Sequence, residues 1–354
     1  MEEVVKNRFD ILGFLKRLPF ATTFIGAFWL LIVILGLIFD FTLATLLTDV
    51  IQRFGMWGLF VLAMVPSIQS GTGPNFALPI GICGGLLSII LAIEAGFTGL
   101  ALLLVAIAFA IVIGSVFGFL YGKLLNAIKG FEMSIATYTG FAMTFFFCLV
   151  WLILPVTNEN IGWFIGSGIR NFVSLSPMGM DKLLDNFLQF KLFGVTIPTG
   201  VLLVVFGACL LMWLFFRSKA GISISAVGSN PKFAEASGLN VDRSRVIANM
   251  ISTALAAIGI IIYGQSFGFM TLYDTPLMMA FTAVAGILVG GASAQRSKVI
   301  HVIIGTFLFQ GLLANGPTVF NRMFEGADMT DPVRMVVQNG VILYALAQMK
   351  GGGK

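Results

Sequence analysis

The run Phe97-Thr-Gly-Leu-Ala-Leu-Leu-Leu-Val-Ala-Ile-Ala-Phe-Ala-Ile-Val-Ile-Gly-Ser-Val-Phe-Gly-Phe119 holds no charged side chain. At about 1.5 Å per helical residue, a stretch of this length reaches across a hydrocarbon core of about 30 Å. Lipid offers no hydrogen bonds to an open backbone, so such a stretch crosses as a helix. The rest of the chain repeats the pattern. Of its 354 residues, 58% are hydrophobic and 10% charged, against roughly 25% charged in a soluble domain. The composition predicts an all-α, polytopic membrane helical bundle. Ten spans are expected, at 19–39, 53–70, 76–93, 97–119, 132–155, 199–217, 246–266, 277–295, 299–316 and 332–348. Residues 1–354 then form one transmembrane domain with a membrane core at 19–348, an outward loop at 156–198 and a cytoplasmic loop at 217–245.

Basic residues orient this bundle. With the N-terminus inside, 15 of the 21 Lys and Arg fall on cytoplasmic segments, and Arg53, Arg170, Lys182, Lys191, Arg322 and Arg334 fall outside. The bias predicts that both termini are cytoplasmic. The net charge of +5 then reflects membrane orientation and gives little support for a nucleic-acid partner. The first 18 residues mix charges and enter the first span without a small-residue cleavage site, so an uncleaved first helix is expected. Cys83, Cys148 and Cys209 lie in apolar spans. They read as small core residues, with neither a disulfide framework nor a metal cluster implied.

Three segments interrupt the apolar pattern. The loop at 156–198 carries Trp163, Phe164, Phe172 and the run Leu183-Leu-Asp-Asn-Phe-Leu-Gln-Phe190. It predicts an interfacial helix, with a partner surface as the alternative. Gly114, Gly118 and Gly122, with the pairs Gly81/Gly85 and Gly286/Gly290, have the spacing that lets helices approach closely in lipid. Finally, Ser67-Ile-Gln-Ser-Gly-Thr-Gly-Pro-Asn75 places polar and flexible residues between two apolar runs. It reads either as a broken helix beside a translocation path or as a surface loop. Gln69, Thr72 and Asn75, with Asn126 and Thr137, are the candidate path contacts.

The island Arg217–Arg245 contains a self-capped short helix at 230–237. Asn230 can cap its start, Pro231 suits the first helical position, and Gly238 can close it in the left-handed region. About two turns are marginal alone in water, so this helix is expected to dock against something.

Several chemistries are excluded. Gly122-Lys123 is followed by Leu124, and position 117 is Phe, so a phosphate-binding G-x-x-x-x-G-K-[S/T] loop is absent. Gly264-Gln-Ser266-Phe-Gly268 matches G-x-S-x-G, but Ser266 and the one histidine, His301, are expected at opposite faces of the bilayer. Glu94, Glu132 and Asp274 fall near span ends, leaving no mid-membrane proton carrier. A conduit driven by an external motor remains.

The stretch Ala226-Val-Gly-Ser-Asn-Pro-Lys-Phe-Ala-Glu-Ala-Ser-Gly-Leu-Asn-Val241 resembles the cytoplasmic coupling segment of ribose-type ABC importer permeases, a family in the sugar, nucleoside and branched-chain-amino-acid superfamily. Gly122–Thr137 and Phe281–Ser293 resemble two further segments of that family. The resemblance implies a multi-pass permease of the bacterial cytoplasmic (inner) membrane that carries a sugar or nucleoside. It implies a second permease subunit, like or unlike, an extracytoplasmic substrate-binding protein, and separate ATPase subunits. This chain would hold no cofactor, since ATP and Mg²⁺ bind the ATPase. By position, Gly228, Asn230, Pro231, Glu235 and Gly238 would form the coupling helix. The chain departs from the family at 68–75, where a G-G-I-D-L-S-like sequence is usual, and at Ala294–Ser297. The rival readings are an ATP-independent secondary transporter or channel and an intramembrane enzyme.

Overall fold

The computed structural model describes residues 20–163, 168–324 and 330–351. The N-terminal segment, with Lys6, Arg8, Lys16, Arg17 and the expected uncleaved start, lies outside the described residues, as do Phe164 and Lys354. The chain runs through α1 (Phe20–Ile38), α2 (Leu43–Gln69), α3 (Leu78–Glu94), α4 (Gly99–Ala127) and α5 (Glu132–Ile153). After the loop expected to face outward, which holds the one-turn α6 (Leu183–Asn186), come α7 (Thr199–Phe215), α8 (Lys219–Ser229) and α9 (Pro231–Ala236). The last helices are α10 (Val241–Phe267), α11 (Thr275–Val289), α12 (Val299–Met323) and α13 (Thr330–Gly351).

Each expected span falls on a helix. Among the described residues six helices, α1, α2, α4, α5, α10 and α12, are long and apolar enough to cross a membrane, and α7 with α8 makes a seventh if that pair, bent by 77°, is one span. The apolar α3 and α11 are shorter, at 17 and 15 residues.

The hub of the bundle is α10, packed against α2, α3 and α4. Glycine sets the distance. A Cβ added at Gly118 would lie 2.6 Å from Met250 Cα, and one at Gly114 or Gly122 would lie 2.9 Å from Ala254 or Val246 Cα. Gly81 and Gly85 bring α3 equally close to the Thr253 and Ala257 carbonyls. Gly290 packs on the backbone of His301 and Gly305 where α11 crosses α12. Without a hydrophobic drive between helices in lipid, such dispersion-rich backbone contacts hold them together.

Two expectations need correction. First, α2 begins about ten residues before the expected 53–70 span, so Arg53 lies about three turns inside the helix and not at its start. Its first turns carry Thr48, Asp49, Gln52 and Arg53 on one half-buried face that points into the protein, so lipid does not forbid them. Second, the outward loop is not an interfacial helix. Its described residues form two antiparallel strand pairs: β1 (Phe172–Ser174) with β4 (Phe269–Thr271), and the hairpin of β2 (Phe190–Leu192) with β3 (Val195–Ile197). Left-handed residues at Lys182, Leu188, Phe193 and Gly194 break any longer helix there. Asp185 is 5% exposed and is held by Ser266 Oγ at 2.7 Å and Gln265 Nε2 at 2.9 Å, which fastens the loop onto α10.

Candidate functional site

Two polar regions stand out, one at each end of α2. The first is a foot built from α8 and α9. Asn230 has an extended backbone and its Oδ1 accepts from Phe233 N at 3.0 Å, while Pro231 opens the helix. The helix closes with a Schellman motif: Leu239 N donates to Ala234 O at 3.0 Å and Gly238 N to Glu235 O at 2.9 Å. Gly238 has φ +80°, a conformation that costs a Cβ-bearing residue roughly 1 kcal/mol or more. On this short helix only Ala234 is buried. Lys232 and Glu235 are exposed, and Phe233 leaves 69% of its surface bare. A displayed, rigidly capped helix with an apolar knob is a docking element in search of a groove.

The foot is locked to the end of α2. A Cβ at Gly228 would strike the Gln69 carbonyl and lie 2.8 Å from Gly71 N; Gly71 itself has φ +78°. Here two backbones touch with nothing between them. The break that follows α2 is buried from Thr72 to Asn75, and its polar side chains are hydrogen bonded. Thr72 Oγ1 donates to Ser67 O at 2.9 Å, Asn75 Nδ2 donates to Ser252 Oγ at 2.8 Å, and Ser252 Oγ donates to Ala63 O at 2.6 Å. Gln69 Nε2 donates to Ser297 O, tying in the 290–298 loop. The segment is therefore a packed joint between α2, α8, α10 and that loop. Nearby, Arg245 pairs with Glu132 at 3.4 Å, both side chains largely buried, and Lys129 pairs with Asp242 at 3.0 Å in solvent. Loops that the charge bias puts on one side of a membrane thus meet at one end of the bundle.

Four cavities among the described residues are lined by none of the five expected path residues. Gln69, Thr72 and Asn75 sit in the joint just described. Asn126 Nδ2 donates to Asp242 O at 2.9 Å, and Thr137 Oγ1 returns to Met133 O at 3.0 Å within its own helix.

The second region lies where α2, α10, α11, α12 and α13 meet the outward loop. Two cavities of about 360 and 420 Å³ share Arg53, Trp57, Tyr263 and Phe267 as a common wall. Volumes in this range suit a small solute. The aromatic wall is ordered: Trp57 and Tyr263 meet edge to face at 5.7 Å, and Tyr263 stacks on Phe267 at 5.5 Å. Three residues that line the larger cavity carry polar atoms buried without a partner, namely Asn171 Oδ1, both amide atoms of Gln310, and Arg334 Nε. Each such group costs about 1–3 kcal/mol if nothing bonds to it. Sequence reading missed this region because Arg53 and Arg334 stood at the ends of the expected 53–70 and 332–348 spans, where a charge reads as a flank. The signal was present in Thr48, Asp49, Gln52 and Arg53, whose spacing is that of one helical face.

Ser266 and His301 serve structure. Ser266 Oγ donates to Asp185, and His301 Nδ1 accepts from Lys298 N at 3.3 Å at the start of α12. Glu94 receives Thr157 N at 2.7 Å and Asn158 N at 3.3 Å, and so ties α3 to the outward loop.

Comparison with known proteins places this geometry. The nucleoside ABC transporter permease NupB of Lactococcus lactis is 25% identical over 255 residues, 69% of this chain and 64% of its own. The galactose/methyl galactoside import permease MglC of Haemophilus influenzae is 28% identical over 162 residues, 45% of this chain and 44% of its own. The galactofuranose transporter permease YtfT of Escherichia coli is 25% identical over 288 residues, 78% of this chain and 75% of its own. The chain thus spans between about half and two thirds of the length of the first two. No solved structure matches. The sequence profile described as "Branched-chain amino acid transport system / permease component" matches residues 46–346, from α2 through α13 and across both the foot and the cavities, and the chain belongs to that permease family.

Proposed function

We propose that this chain is the membrane permease subunit of a binding-protein-dependent ABC importer for a small polar solute of the sugar or nucleoside class. In this reading it crosses a bacterial inner membrane ten times with both termini in the cytoplasm. It pairs with a second permease subunit, accepts solute from an extracytoplasmic binding protein, and leaves ATP and Mg²⁺ to separate ATPase subunits. Gly228, Asn230, Pro231, Glu235 and Gly238 form or seat the coupling helix. The observation that carries the proposal is the capped helix α9, exposed except at Ala234 and joined through Gly228 to the backbone of α2.

The mechanism follows from rigidity. ATP-driven closure of the ATPases moves α9, and the Gly228 contact passes that motion to α2 without a compliant side chain in between. From Gln69 to Arg53 is 16 residues along α2, a reach of about 24 Å. Motion at the foot therefore arrives at the wall of the cavity pair, where α10 also ends. Nucleotide and solute then bias one two-state bundle, each through its differential contacts. Gln69, Thr72 and Asn75 serve the joint, and solute contact falls to the cavity walls.

The test is stimulation of the partner ATPase by binding protein in liposomes that carry Glu235→Arg or Asn230→Pro. Both substitutions are expected to abolish stimulation, the second because Asn230 has φ −154°, far from the proline value near −65°. Wild-type coupling in both would end the docking idea. One observation favours the secondary-transporter reading: Asp49 lies inside α2 and lines the smaller cavity, as an ion-coupled carrier requires. That reading predicts solute flux in vesicles that hold this chain alone and no ATP.

A further inference from the structure

The cavity pair brings two arginines together, with one carboxylate, Asp49, beside Arg53 in the smaller cavity. Arg53 from α2 and Arg334 from α13 face the same 420 Å³ space. Arg53 makes no hydrogen bond or ion pair with any described residue. Arg334 keeps its Nε unpartnered, and the exposed Asp331 stands 3.9 Å from its Nη1. Of the nearby carboxylates, Asp49 lines only the smaller cavity and Asp274 lies exposed at the margin of the larger one. Two arginines lining one cavity repel each other unless something negative lies between them. Each presents planar donors that match the paired oxygens of a carboxylate or phosphate. Beside them the Trp57–Tyr263–Phe267 wall offers ring faces. Gln310, 1% exposed with both amide atoms unpartnered, offers a donor and an acceptor.

We propose that this cavity is a solute subsite selective for a small ring-bearing anion, with its carboxylate or phosphate oxygens held between Arg53 and Arg334 and its ring laid along Trp57 and Tyr263. The assignment rests on the permease reading and narrows the solute from polar to acidic. It makes Arg53 the specificity-determining residue. Binding remains weak, because a conduit must release what it admits.

Titration of the full-length chain in lipid nanodiscs, followed by saturation-transfer NMR, tests this with three probes. D-glucose and D-glucuronate differ by one carboxylate on the same ring, and D-glucose 6-phosphate carries phosphate instead. Both anions are expected to bind at least about tenfold more tightly than glucose, and raised chloride should shrink that preference. Whichever anion leads identifies the oxygen group. Arg53→Gln and Arg334→Gln should each reduce the preference to about twofold or less, while Arg53→Lys keeps part of it. Equal binding of glucose and glucuronate by the unsubstituted chain would overturn the proposal without recourse to any variant. So would a preference that survives both Gln substitutions. ATPase coupling through Glu235 is read separately, so failure here leaves the permease reading standing.

Discussion

The two ends of α2 are built on opposite rules. At Gln69–Asn75 the polar side chains of Ser67, Ser70, Thr72 and Asn75 are buried and hydrogen bonded, and the contact with α8 is backbone on backbone. At Asp49–Trp57 the same helix turns charged and aromatic groups toward open volume, where nearby polar atoms lack partners. A satisfied joint transmits displacement, because no rotamer can absorb it. An unsatisfied cavity is poised to receive something that brings hydrogen bonds with it. In the proposed mechanism one helix carries motion from the first kind of place to the second.

The largest expected effect breaks the joint. Gly228→Leu forces a side chain into the Gln69 carbonyl and should cost about 3 kcal/mol or more, since neither backbone can yield. Thermal unfolding of the purified chain in detergent would register the loss. The next prediction sharpens the cavity side. Arg53→Gln should reduce uptake of the carried solute about tenfold in proteoliposomes, equivalent to about 1.4 kcal/mol, while the unfolding midpoint stays unchanged. Third, Asn230→Ala removes a cap worth about 1 kcal/mol. Amide exchange should quicken across 231–236 and stay slow in α10. The smallest effect separates the regions most cleanly. Gln310→Leu should alter stability by no more than about 0.5 kcal/mol, or raise it, because an apolar group replaces an amide without partners. Uptake should nevertheless fall. A large destabilisation would mean that Gln310 is a structural member of the core.

Much of this arrangement was legible in the residues. Asn230, Pro231 and Gly238 announce a capped helix because caps are local chemistry. The Gly114–Gly118–Gly122 stripe announces a close crossing because its spacing is a helix period. What the chain could not declare is which helix a stripe meets, so Met250 and Gly228 became legible as contacts only in three dimensions. The 67–75 segment shows the same limit. Its polarity left a broken helix beside a path and a surface loop both open, and nothing local pointed to a packed joint. Arg53 was missed for a different reason: hydropathy marks the lipid-facing part of a helix, and the first turns of α2 face a cavity.

The central claim is that motion at α9 reaches the cavity through the Gly228 contact. Thiol labelling at Thr318→Cys, a half-buried position lining the smaller cavity, measures this directly in the assembled transporter, against the same assembly without that cysteine. Trapping the ATPases in their nucleotide-closed state should change the labelling rate several-fold. Gly228→Val should abolish that change while basal ATP hydrolysis continues. A labelling rate indifferent to nucleotide, or a response undiminished by Gly228→Val, would contradict the account.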